Sequence, residues 1–205
     1  GYAELLQSRW EDLPEERRLE HISRIVVSAN RQKRMVDDLL LLGRMESGDL
    51  HPRLERILVA RAVTRAADEV RSSYPGQRID LVGSEDLIAR ADLERVVQIL
   101  VNAMDNAAKY SPEGSPIAVA WAREGREAAV RVRDWGSGIP PLGREQLFSR
   151  FGRMPGSRTR AGRVGTGLGL HLGRQIAEAM GGSLELEETS PAGSIFRLRL
   201  PLDLP

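Results

Sequence analysis

The stretch Asp92–Tyr110, DLERVVQILVNAMDNAAKY, decides how this chain is read. At about 100° per residue, Leu93, Val97, Leu100, Val101, Met104, Ala107 and Ala108 fall within an arc of about 120°. Asn102, Asn106 and Lys109 fall within about 60° on the opposite side. Such a helix buries one face. Asparagine is a mediocre helix former because its amide competes for nearby backbone groups, so two of them one turn apart need a reason. One reason is plain solvation of a polar face. The other is a ligand: an amide oxygen is a hard donor suited to Mg²⁺, and an ammonium at the next turn suits phosphate. Lysine is scarce here. Of 30 basic residues only Lys33 and Lys109 are lysines, which draws attention to a compact ammonium at 109.

Two glycine segments flank the problem. Asp134-Trp135-Gly136-Ser137-Gly138 follows a stretch in which Val130 and Val132 alternate with Arg131 and Arg133, the pattern of a strand with one buried face. A carboxylate at a strand end, followed by two glycines, makes either an ordinary turn or a place where backbone approaches a ligand closely. Gly165-Thr166-Gly167-Leu168-Gly169-Leu170 precedes a helix, where free N–H groups and the positive dipole end favour phosphate. It is not the dinucleotide fingerprint, since Leu170 stands where a third glycine belongs, nor a P-loop, since Arg34 follows Lys33 and Tyr110 follows Lys109. Between the two lie Leu147-Phe148-Ser149-Arg150-Phe151 and then Arg153, Arg158, Arg160 and Arg163. These arginines either solvate a loop or reach polyphosphate as a lid.

The rest of the chain supplies a scaffold. Residues 1–10 read as the end of one helix, Pro14 starts the next, and a helical pattern runs to Ser47 with Ile22, Ile25, Val26, Ala29, Val36 and Leu40 on one face. Leu39 to Leu42 are apolar all round, which predicts burial on several sides. Two such helices make a hairpin, and a dimer of hairpins makes a four-helix bundle. A linker over 49–52 is followed by a strand at 54–58, a helix at 59–73 and short strands at 78–82 and 87–91 around a turn. The helix at 92–110 precedes a hairpin at 116–122 and 128–134. A long loop at 152–166, a helix at 167–180 and a final hairpin at 183–188 and 194–200 complete the pattern. Hairpins mixed with helices predict an α+β chain: a helical hairpin, then an α/β sandwich whose mixed sheet is covered on one face by helices.

Composition narrows function. With 30 basic and 29 acidic residues and a net charge of +1, the chain lacks the footprint of a nucleic-acid binder. It has no cysteine, which removes disulfides and thiolate zinc sites and suits a reducing cytoplasm. No apolar run approaches the ~20 residues of a membrane span, so no membrane contact is expected from this segment. The chain opens on Gly1 without Met and is expected to be a piece of something longer.

In order and spacing these segments resemble the sensor histidine kinases of two-component signalling, within the GHKL superfamily of ATP-binding proteins. NAMDNAAKYSP at 102–112 looks like the asparagine box, Asp134 to Gly138 like the first glycine box, Phe148 to Phe151 like the F-x-R-F box, and Gly165 to Leu170 like the second glycine box, G-x-G-L-G-L. The resemblance implies the GHKL (Bergerat-type) fold and ATP with Mg²⁺ as cofactors. It implies that Asn106 ligates the metal, that Asn102 assists, and that Lys109 and Tyr110 contact phosphates, with Asn102 and Lys109 as the catalytic pair. Asp134 would accept the adenine amino group. Gly136, Gly138, Arg150, Arg153, Gly165, Gly167, Leu168 and Gly169 would complete the nucleotide site. Residues 1–48 would be a partial dimerisation and phosphotransfer hairpin, and 49–205 the catalytic domain.

The phosphoacceptor pattern of the family, His followed by an acid and then Pro two residues on, is not in the chain. Neither His21, His51 nor His171 has that context. The acceptor is expected about a dozen residues upstream, so this chain is not expected to phosphorylate itself. A response regulator receiver domain is the expected partner, with a homodimer through the hairpin, in a parent protein anchored in the bacterial inner membrane. Two departures stand out. Trp135 replaces a smaller polar residue and Gly152 a common aromatic. A serine kinase of the anti-sigma type is the rival reading, against which the hairpin at 1–48 argues. A GHKL ATPase machine is disfavoured because Asn102 stands where such enzymes carry a glutamate. A degenerate binding module is disfavoured by the intact Asn102, Asn106, Lys109 and Asp134.

Overall fold

The computed structural model describes residues 1–48, 51–84, 86–152 and 167–204. The chain divides into two compact units, Gly1–Leu50 and His51–Pro205.

The first unit is a helical hairpin of α1 (Tyr2–Arg9) and α2 (Glu15–Glu46). Pro14 sits at the N-cap of α2, where its missing N–H costs nothing. Leu6 is buried, and the Tyr2 ring packs 5.1 Å from that of His21. The expected stripe on α2 exists but is uncovered: Ile22, Val26, Val36 and Leu40 are all exposed. Of Leu39 to Leu42, Leu39 and Leu40 are exposed and only Leu41 and Leu42 are buried.

The second unit is an α/β sandwich. Its elements run β1 (Glu55–Leu58), α3 (Val59–Ser73), β2 (Ile79–Gly83), β3 (Ile88–Ala91), α4 (Leu93–Tyr110), β4 (Ile117–Glu124), β5 (Glu127–Arg133), α5 (Pro141–Arg144), α6 (Gly169–Ala179), β6 (Ser183–Ser190) and β7 (Gly193–Pro201). The mixed sheet has the order β2-β4-β5-β7-β6, with β2 parallel to β4 and the other pairs antiparallel. The two short strands around the 84–87 turn do not form a hairpin. β2 joins the large sheet, while β3 pairs antiparallel with β1 in a separate two-stranded sheet. The Trp121 indole donates to the Ser84 carbonyl at 2.6 Å and packs against Gly83, which anchors β2 to β4 instead of to β3. The short α5 has no signal beyond Pro140-Pro141 at its start.

α4 lies on the sheet between α3 and α6. That is why its buried set, Val96, Val97, Ile99, Leu100, Ala103, Met104, Ala107 and Ala108, spans a wider arc than one apolar stripe. Val101, expected in the core, is only half buried. The face of the sheet away from the helices carries charge. Arg131 donates to Glu187 and to Glu124 at 2.6 Å each, and Arg197 donates to Glu187 and Glu185 at 2.6 Å each. The register places Arg131 opposite Arg197, and Arg197 opposite Glu185.

Beyond the end of α6 at Ala179, Gly181 turns the chain with a φ of +75° that suits glycine, and the next amide, of Gly182, donates to the Ala177 carbonyl at 2.9 Å. A Cβ on Gly182 would overlap the Arg199 carbonyl oxygen. Gly182→Ala is therefore expected to lower stability by about 1–3 kcal/mol. A urea titration measures it, and an unchanged midpoint would show that β7 yields without cost.

Candidate functional site

β5 ends in a buried carboxylate. Asp134 is 7% exposed, and its Oδ1 accepts the amides of Gly136 at 2.8 Å and Ser194 at 3.2 Å. Burial pushes its pKa above the ordinary value, against the pull of those two N–H groups and of Arg133. Among the described residues Oδ2 accepts no hydrogen bond. The surrounding turn is fixed by close approach. Gly138 has φ +72° and lies against the Ser190 carbonyl; Gly193, φ +126°, lies against that of Asp134. The Ile139 amide donates to Thr189 Oγ1 at 2.8 Å, and that hydroxyl is 3.0 Å from Ser194 Oγ. Ser111 Oγ accepts the Trp135 amide at 3.1 Å. Ser111, Thr189 and Ser194 were not singled out from the sequence. Thr189 and Ser194 flank the Pro191-Ala192-Gly193 turn, and polar side chains at that place were the available signal.

α4 begins after Asp92, whose Oδ1 caps the helix by accepting the Arg95 amide at 3.2 Å. Asn102 Nδ2 donates to the Gly169 carbonyl at 3.3 Å, which joins α4 to the start of α6. The Asn106 side chain is half buried and makes no hydrogen bond among the described residues. Lys109 is not an isolated cation: its ammonium pairs with Asp105, one turn earlier. Tyr110 is 36% exposed, and its carbonyl stands close enough to Gly136 that a Cβ there would be 2.8 Å from it. α4 therefore meets the first glycine segment at one end and the second along its flank.

At the start of α6, Leu168 is fully buried and Gly167 has φ +75°, packed on the Phe151 backbone. His171 Nδ1 donates to the Phe148 carbonyl at 2.8 Å, and the Arg174 guanidinium lies 5.0 Å from the Phe148 ring centre. His171 thus ties α6 to the F-x-R-F segment. Phe151 has a left-handed φ of +58° and is 54% exposed, and Arg150 is exposed as well. Gly152 leaves no space for a side chain, because a Cβ would overlap the Gln146 carbonyl. Trp135 is half buried with Arg133 5.4 Å from its ring centre. Arg153, Gly165, Thr166 and the arginines at 158, 160 and 163 lie outside the described residues.

The donor set fits a hard cation with one amide ligand. Asn106 offers an uncommitted amide oxygen, and Mg²⁺ ordinarily keeps several waters and takes few protein ligands. Among the described residues no cluster of three or more His, Cys, Asp or Glu forms a cage of its own. No described helix is long and apolar enough to cross a membrane.

A family model described as histidine kinase-, DNA gyrase B- and HSP90-like ATPase matches residues 91–204. The sensor protein SrrB of Staphylococcus aureus is 30% identical over 207 residues, covering 98% of this chain. The chain spans only 34% of that relative's length. The mycobacterial sensor histidine kinase MprB is similar in structure, with a TM-score of 0.64 and 27% identity over 72% of this chain and 98% of that one. The Acinetobacter baumannii histidine kinase AdeS shares the fold, with a TM-score of 0.72 at 21% identity over 99% of this chain and 96% of that one. So does full-length ShkA, described in complex with AMPPNP, with a TM-score of 0.73 at 24% identity over 93% and 40%.

Because burial raises the folded pKa of Asp134, its ionised form costs stability above that pKa and costs nothing below the unfolded value of 3.8. Asp134→Asn, which keeps the Oδ1 acceptor, is expected to raise the unfolding midpoint at pH 7. That advantage should vanish as the pH is lowered to about 3. Urea titrations at both pH values test this; lower stability at pH 7 would mean that the carboxylate is paired instead of merely buried.

Proposed function

Since the chain belongs to the family of histidine kinase-, DNA gyrase B- and HSP90-like ATPases, we propose that it is the ATP-binding catalytic core of a two-component sensor histidine kinase. In this reading residues 49–205 bind the nucleotide and 1–48 are part of the dimerisation hairpin. The observation that carries it is the position of α4, which meets the second glycine segment through Asn102 and Gly169 and the first at its C-terminal end through the Tyr110 carbonyl and Gly136.

Asp134 offers Oδ2 to the adenine amino group while Oδ1 stays on the Gly136 and Ser194 amides. Gly136 and Gly138 let the backbone approach the base. The N-terminus of α6, with Gly167, Leu168 and Gly169, presents N–H groups to phosphate. Lys109, Tyr110 and Arg150 lie at the phosphate end. Asn106 would hold Mg²⁺, which would neutralise phosphate charge in transfer. A neutral imidazole nitrogen on a histidine outside this chain attacks the γ-phosphorus; the bond to the β–γ bridging oxygen breaks, ADP leaves, and a P–N bond forms. The protein's share is alignment and charge compensation. Asn102 cannot take a proton from water, so hydrolysis is slow compared with transfer. The phosphoryl group then passes to an aspartate of a response regulator. The uncovered stripe of Ile22, Val26, Val36 and Leu40 on α2 supports a homodimer through the hairpin.

The test is calorimetric titration of Mg²⁺–ADP into the chain and into Asn106→Ala, with and without Mg²⁺. The chain is expected to bind. Asn106→Ala is expected to lose about tenfold or more in affinity, at least ~1.4 kcal/mol, and only when Mg²⁺ is present. Unchanged affinity with Mg²⁺ would refute the ligand role, and no binding by the unmutated chain would refute the nucleotide reading. Supplied with a histidine-bearing helix of the family, the chain is expected to phosphorylate it; transfer to serine instead would overturn the histidine assignment.

A further inference from the structure

The polar face of α4 holds a fourth residue that the asparagine pattern does not reveal. Placed at about 100° per residue, Asp105 stands some 40° from Lys109 on the side away from Asn102 and Asn106. Its Oδ2 pairs with the Lys109 ammonium and its Oδ1 accepts the Tyr74 hydroxyl at 2.6 Å. An ordinary ion pair one helical turn apart is exposed and contributes little. This one differs in two ways. The Lys109 and Asp105 side chains are only 12% and 16% exposed, and the phenol that takes the second carboxylate oxygen comes from another helix, at the C-cap of α3, and is itself 8% exposed. Both oxygens of Asp105 are thereby engaged.

A bare carboxylate beside a polyphosphate site is a liability, because it competes with phosphate for the ammonium and repels the ligand. The phenol changes that balance. A hydrogen bond from Tyr74 draws negative charge toward Oδ1, weakens the hold of Oδ2 on the ammonium, and fixes the rotamer of the carboxylate. The ammonium has three donors, and Asp105 takes one, leaving two to be aimed. We propose that Tyr74 and Asp105 are positioning residues for Lys109: the phenol–carboxylate pair across α3 and α4 fixes the ammonium on the polar face of α4 and keeps it available to the phosphates of a nucleotide. This rests on the nucleotide reading above.

The effect of the phenol has one sign on either account. Without it the carboxylate grips the ammonium harder and is also less well oriented, and both weaken phosphate binding. The experiment uses the full chain and compares the unmutated protein, Tyr74→Phe, Lys109→Met and the double variant. Affinities for Mg²⁺–ATP and Mg²⁺–ADP are read by calorimetry, and for adenosine by NMR titration. Tyr74→Phe, which keeps the ring, is expected to weaken both nucleotides about three- to tenfold and to leave adenosine unchanged. In the Lys109→Met background the same substitution is expected to change nothing. Equal weakening of adenosine would make the phenol a fold element only. Unchanged or tighter nucleotide binding, or a Tyr74→Phe effect that persists without Lys109, would overturn the proposal. If the unmutated chain binds adenosine but neither nucleotide, the phosphate role of Lys109 fails with the proposal; if it binds none of the three, the nucleotide reading itself fails.

Discussion

The second unit depends on one constraint: α4 must bury an unusually wide apolar arc and still keep a polar strip clear. α3 and α6 flank it and the sheet lies beneath, so Val96, Ile99, Leu100, Ala103, Met104 and Ala107 are all enclosed. Fixing so much of the circumference leaves the helix no freedom to roll. The backbone positions of Asn102, Asn106 and Lys109 are therefore set by the core, and groups on a packed helix are held more tightly than groups on a loop. The link from Asn102 to Gly169 and the approach of Tyr110 to Gly136 are consequences of that placement.

Asp134 shows the opposite economy. A carboxylate that is mostly buried and raised in pKa destabilises the fold at neutral pH, and it persists because the turn around it is over-determined. The amide of Asp134 donates to the Ser194 carbonyl at 2.9 Å while its carboxylate accepts the Ser194 amide, a reciprocal grip across 60 residues of chain. The β6–β7 hairpin is thus as much a part of the site as the glycine segment that signals it.

What the sequence disclosed follows from the range of each interaction. The amphipathic helices were legible because their periodicity is local: 59–73 is helical as read, and the helix read at 92–110 runs Leu93–Tyr110 behind the Asp92 cap. Strand existence was legible too, but not the partnering of β2 with β4, which is decided by the contact of Gly83 with Trp121 across 38 positions. The same holds at the site. As candidates, Asn102, Asn106, Lys109 and Asp134 stand out by residue type and spacing. The hydroxyls of Ser111, Thr189 and Ser194, and the phenol of Tyr74, do not, because what distinguishes them is the atom they face. Gly152 looked like a departure near a pocket, yet its absent side chain is explained by the Gln146 carbonyl alone.

The arginines of the open sheet face have a further consequence. A sheet with helices on only one side ordinarily offers its other side to a second layer, and a chain whose basic residues are nearly all arginine has many planar cations to place there. Here Arg131 of β5 bridges Glu124 of β4 and Glu187 of β6, and Arg197 of β7 bridges Glu185 and Glu187 of β6. The surface becomes a patchwork of alternating sign whose members already satisfy one another. Such a patchwork presents little net field to a distant charge and no continuous oily area to another sheet. This face takes no side: it removes one direction from which a wrong neighbour would otherwise arrive.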